Sequence, residues 1–93
     1  MKNSTMTTNI TARRWQDRNG NTYHTVEVKK DGSRVTHKTD VTYGYGSHWE
    51  QTAQDLLCAL YGGPSDRGLW HWQNETGHKI VDEVIDVKRR RDL

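Results

Sequence analysis

The chain has 93 residues with 14 Lys and Arg against 12 Asp and Glu, enough for one small domain and too evenly charged for repulsion to hold it unfolded. Leu, Ile and Val total 15 and Phe is absent, so the four Trp and four Tyr must supply much of any core. No apolar run reaches membrane length, and a lone cysteine, Cys58, excludes a disulfide within the chain.

A single thiol suits a reducing compartment. Residues 1–9 are rich in Ser, Thr and Asn and lack the apolar segment of a signal peptide. They read as a flexible tail, with residues 10–93 as one domain. Residues 10–17 form the first strand candidate. Asn19-Gly20 then offers the strongest short hairpin signal, because a type I′ turn needs positive φ at both central positions. Residues 22–30 form the second strand, Asp31-Gly32 repeats the turn chemistry, and residues 33–43 form the third.

Two-residue loops at both turns set a register. Trp15 then lies opposite His24, Arg14 opposite Thr25, Val28 opposite Val35, and Val26 opposite His37. Trp15, Val26, Val28, Val35 and Val41 face inward, with Arg13 a misfit. His24 and His37 become inward neighbours. The outer face carries Arg14, Tyr23, Lys29, Arg34 and Lys38. Side chains alternate with period two, so a slip of one residue would exchange the two faces.

Ser47 and Glu50 have the spacing of a capping box, and Gly44 and Gly46 permit a sharp turn into a helix. The helix runs over about residues 48–61. Trp49, Ala53, Leu56, Leu57 and Leu60 make one apolar stripe, with Gln51, Gln54, Asp55 and Cys58 opposite. Gly62-Gly63 and Pro64 end it. Residues 62–78 read as loop, with Trp70 and Trp72 flanking His71. Residues 79–91 fit either a helix face or a strand. Their β-branched content favours a strand returning beside the meander. The fold expected is α+β: a three-stranded antiparallel meander, one packed helix and a C-terminal strand (βββαβ).

Chemistry-bearing motifs are sparse. The five histidines and Cys58 show no metal-ligand spacing, so no metal is expected. No phosphate loop, nucleophile elbow or dinucleotide fingerprint is present, and Cys58 has no basic residue within helical reach. No catalytic residue or cofactor is expected. Two binding surfaces remain. The first is the basic outer face together with the tail Lys88, Arg89, Arg90 and Arg91, which suits phosphates. The second is Trp70 with Trp72, since Trp is enriched at interface hot spots.

Five segments, in this order, carry a resemblance: Ala12-Arg13-Arg14-Trp15, Gly20-Asn21-Thr22-Tyr23-His24-Thr25-Val26, Thr42-Tyr43-Gly44-Tyr45-Gly46, Gln51-Thr52-Ala53 with Leu56-Leu57, and Asp86 to Leu93. Over most of residues 12–61 and 84–93 the chain resembles a group of small bacteriophage and prophage proteins. The resemblance implies a phage origin and a host-cytoplasmic location, brings no activity with it, and supports a strand over residues 80–88. The expectation is a non-enzymatic phage accessory protein that binds a host protein complex, with no membrane partner. The alternative is a nucleic-acid-binding module using the basic sheet face and tail.

Overall fold

The computed structural model describes residues 7–44 and 46–93. Strand β1 covers Thr7–Gln16 and β2 covers Thr22–Lys30, paired antiparallel. β1 thus takes in residues 7–9, expected in the tail, and Thr8 is fully buried. Residues 1–6 lie outside the described residues. The turn between the strands is not the expected two-residue type I′. Asp17 accepts the backbone N–H of Gly20 on its carbonyl at 3.1 Å and donates its own N–H to the Asn21 carbonyl at 2.9 Å. Its carboxylate accepts the N–H groups of Asn19 and Asn21, each at 2.9 Å. Those bonds, led by the Asn21 N–H, hold the Asp17 carboxyl below its ordinary value. Gly20 alone takes positive φ, at +86°. This is a three-residue loop on a type I turn, the conformation an aspartate at the first turn position favours.

One extra loop residue slips the register by one. Trp15 lies opposite Tyr23, not His24, and Arg14 lies opposite His24, not Thr25. Trp15 and Val28 are therefore on opposite faces of the sheet, and the expectation that both look inward fails. Thr8, Ile10 and Ala12 take the inward places, beside His24, Val26 and Val28. Arg13 ceases to be a misfit: it faces outward and pairs with Glu27 at 3.5 Å.

Strand β3 (Thr36–Lys38) is short. The Lys30–Ser33 turn closes at 2.9 Å, with Gly32 at φ +81°. The Ser33 hydroxyl then accepts the Val35 N–H at 3.1 Å, which bends the chain off the ladder. His37 therefore lies opposite Val28, two residues beyond expectation, and the face of each side chain is kept. Val35 and Val41 fall in the connections, 57% and 39% exposed, and neither joins the core. Thr39 satisfies both backbone groups of Val26 at 2.9 Å. The resulting bulge leads to β4 (Thr42–Tyr43), which sets Tyr43 opposite Tyr23.

Helix α1 covers Trp49–Tyr61, entered through a 3₁₀ turn at Gly46–His48. Ser47 lies inside that turn, the N-cap position falls to His48, and among the described residues no side chain caps the helix there. Gly46 takes φ +52°, whereas Gly44 serves by close approach: a Cβ there would lie 2.6 Å from the His48 ring. Gln54, expected on the solvent side, is fully buried and donates to the carbonyls of Pro64 at 3.0 Å and Asp66 at 2.7 Å. It pins the chain that follows α1.

That segment holds a second helix, α2 (Leu69–Thr76), where loop was expected. It is eight residues long between Gly68 and Gly77, and Gly77 supplies the left-handed C-cap. Leu69 and Trp72 share its inner side and are buried, while Trp70 points away and is 53% exposed. The Trp72 indole donates to the Gly62 carbonyl at 2.8 Å. Gln73 accepts the Ile80 N–H at 2.8 Å and so links α2 to β5 (Lys79–Asp86).

β5 is a strand, as expected, and runs parallel to β1. The sheet order is β3-β2-β1-β5, with β4 also on β2. The fold is α+β, extended by α2 and β4. Ile10, Ala12, Val26, Val28 and Ile80 of the sheet pack with Trp49, Ala53, Leu57, Leu69 and Trp72 of the helices. Asp82, Glu83 and Asp86 are exposed on β5, and such charges discourage a further strand from pairing at that edge.

Truncating a buried tryptophan typically costs about 3–5 kcal/mol, against about 0.5 kcal/mol or less for an exposed residue without partners. Urea unfolding of Trp72→Ala and Trp70→Ala should differ by that margin. Equal losses would place both rings in the same environment and contradict α2 as described.

Candidate nucleic-acid interface

Both helices lie on one face of the sheet, with Ile10, Ala12, His24, Val26 and Val28. The register places Trp15, Tyr23, Thr25, Glu27, Lys29, Lys38 and Tyr43 on the other. Three aromatic rings cross β1, β2 and β4 there in one row. Trp15 stacks on Tyr23 with centroids 5.8 Å apart, and Tyr43 meets Tyr23 edge-on at 5.5 Å. The slip at the Asp17 turn put Trp15 in this row, and the bulge after Lys38 put Tyr43 there.

The tail folds back over the same face. Val87 continues the β5 ladder by donating to the Arg14 carbonyl at 2.7 Å. A 3₁₀ turn follows at Arg90–Asp92. The Arg90 guanidinium lies over the Tyr23 ring, 5.7 Å from its centroid, and the Lys38 ammonium donates to the Leu93 carbonyl at 2.8 Å. Lys88, Arg89, Arg90 and Arg91 are all exposed, as are Lys29 and Lys38. The structure therefore joins two features that were separate in the sequence, the sheet-face lysines and the basic tail.

Other expected members lie elsewhere. Arg14 belongs to the helix-side face, not the outer one, because its partner in the ladder is His24. Its guanidinium makes a two-pronged pair with Asp86, at 2.8 and 3.2 Å, and donates to the Gly46 carbonyl at 3.1 Å. These bonds tie β1, β5 and the entry to α1, and they neutralise the charge. Arg14 also lines a cavity of about 520 Å³ with Gln16, Thr22, Asp86 and Lys88. Arg34 is exposed in the connection before β3. Trp70 is exposed on α2, and Trp72 is core, so the two do not form one docking patch.

No family model, curated protein or solved structure matches this chain. The chemistry of the site is therefore read from its own residues. Among the described residues no group of three or more His, Cys, Asp or Glu stands together as metal ligands. Cys58 donates its thiol to the Gly63 carbonyl at 3.2 Å. Among the described residues no helix is long and apolar enough to cross a membrane.

Trp15 and Tyr43 are the members that reading the sequence did not find. For Trp15 the usable signal was Asp17, which stands where a type I turn ending in Gly20 needs a side-chain acceptor.

Two histidines behind the sheet couple its stability to pH. His24 is paired with Thr52 at 2.8 Å and lies beside His48, at 5.7 Å, not beside His37 as expected. Burial, and secondarily His48, push its basicity below the ordinary 6.5. Burial, then Lys30, do the same for His78, which packs against Trp72. Below the ordinary value of 6.5 the unfolded chain takes up protons that the native chain refuses. Stability is therefore full above that value and falls as the pH drops below it. Urea midpoints should decline on going from neutral to mildly acidic buffer, and the decline should shrink in a His24→Gln, His78→Gln chain. A midpoint that stays level through that range would contradict the assignment.

Proposed function

We propose that the open sheet face and the folded-back tail form a nucleic-acid-binding surface. The carrying observation is the row Trp15–Tyr23–Tyr43, set among Lys29, Lys38 and Arg90 on the face opposite the helices. Cations on such a surface neutralise phosphates and release their counterions. Aromatic rings between them accept base faces without regard to sequence. The overall charge is only +2, but it is segregated. Asp82, Glu83 and Asp86 stand along the β5 edge, while the tail, a run of four exposed cations, sets Arg90 on the ring row.

A host-protein partner, the other reading of the sequence, loses half of its support. Trp72 is fully buried, which leaves Trp70 alone on an eight-residue helix. The likeness to phage proteins and the lone Cys58 support an accessory role in the cytoplasm of an infected cell. Rings and exposed cations are groups that hold a ligand rather than attack it, which supports a binding role over an enzymatic one.

Fluorescence anisotropy with labelled single-stranded and duplex DNA and RNA tests this reading. Binding should appear at low salt and weaken as salt rises. Lys29→Glu with Lys38→Glu should weaken it and lower the salt slope by about 0.7–0.9 for each phosphate no longer neutralised. Failure of every nucleic acid to bind at low salt would overturn the proposal.

A further inference from the structure

Resting on that reading, we infer that the ligand is a single strand, and that an unpaired base seats on Tyr23 in place of the Arg90 guanidinium. Among the described residues, two side-chain contacts tie the tail to the sheet: Arg90 over Tyr23 and Lys38 on the Leu93 carbonyl. Both are exposed and open to competition. A guanidinium over a ring at an exposed site is held weakly, and a stacked base is held more strongly. The exchange favours the base and frees Lys88–Arg91 for the phosphates that follow it.

Thr25 supplies a second, independent observation. It lies on the open face between Tyr23 and Glu27, and Lys38 pairs with Glu27 across the ladder. Among the described residues neither α-helix covers this face, yet Thr25 is only 2% exposed, and its hydroxyl is buried with no hydrogen-bond partner among them. Arg13, the partner of Thr25 across the ladder, reaches past it to Glu27 at 3.5 Å. A shift of that side chain opens a hydroxyl able to donate to or accept from a base edge, beside the ring on which that base stacks.

A duplex does not satisfy these groups. Its bases are stacked on one another, and reading them requires an element that enters a groove. The ring row instead lies on a sheet face, where an unpaired base can be splayed out and laid flat. The tail is then a strap that covers the stacking position until a base competes for it.

The test is anisotropy with a labelled oligothymidine, an abasic strand of the same length and phosphate number, and a duplex. The abasic strand should bind about tenfold more weakly than oligothymidine, the scale expected of base–aromatic stacking. Tyr23→Leu, which keeps an apolar side chain, should lose about that factor on oligothymidine and almost nothing on the abasic strand. Urea unfolding establishes that Tyr23→Leu is folded, and Tyr23→Phe should bind as the parent does. Arg90→Gln should bind oligothymidine as tightly as the parent or tighter, although it has lost a cation. Arg91→Gln, which loses a cation without uncovering a ring, should bind more weakly. Equal binding of oligothymidine and the abasic strand overturns this inference, as does tighter binding of the duplex. So does a loss in Arg90→Gln that matches the loss in Arg91→Gln. In each of those cases nucleic acid still binds and the broader reading survives. If none of the three probes binds, both fall together.

Discussion

The surfaces of this protein depend on a single carboxylate. Asp17 gathers the N–H groups of Asn19 and Asn21 and closes the Gly20 turn, so that three residues, Arg18 to Gly20, loop between the Asp17–Asn21 closing pair. Because strand side chains alternate, that one residue decides which face every member of β1 occupies. It sends Ile10 and Ala12 into the core and Trp15 out of it. It also aims Arg14 at Asp86 and away from the basic face. The proposed interface is a consequence of turn chemistry, since no feature of β1 alone dictates which side Trp15 takes.

The core closes with few apolar side chains, and three polar side-chain groups packed with it hold the chain that passes beside them. Gln54 holds the backbone after α1, Gln73 holds the start of β5, and the Trp72 indole holds Gly62. A buried polar group left unpaired is costly, so these bonds define the path of the chain as well as filling space. Gly63 shows how tight the arrangement is. It adopts φ +94°, and a Cβ there would lie 2.7 Å from both Thr76 and the Trp72 indole nitrogen. The α1–α2 connection, which in the sequence is a run of glycines and polar residues, is thus closely determined.

Much of the architecture was legible. The stripe Trp49, Ala53, Leu57 marked α1, Gly62 marked its end, and the β-branched residues after Lys79 marked β5. α2 was missed because eight residues between two glycines show little periodicity, and Trp-His-Trp hides the Leu69 and Trp72 spacing. The hairpin register was missed because Asn-Gly is a strong type I′ signal, while Asp17 favours a competing turn of different length. The second hairpin was off by two residues, an error that leaves faces unchanged, and so Lys29 and Lys38 stayed on the outer face. Arg34 left the sheet and Trp72 proved to be core. The return of the tail to Tyr23 and Lys38 had no signal in the sequence, since it depends on the parallel placement of β5 beside β1.

Trp15 and Tyr23 are cross-strand partners on the face opposite the helices, and everything proposed for that face follows from this pairing. Proton–proton contacts from nuclear Overhauser spectra test it most directly. The Trp15 indole should show contacts to the Tyr23 ring and none to Val26, Val28 or Leu57. An indole in contact with Leu57 beneath α1, with His24 as its neighbour across the ladder, would contradict it.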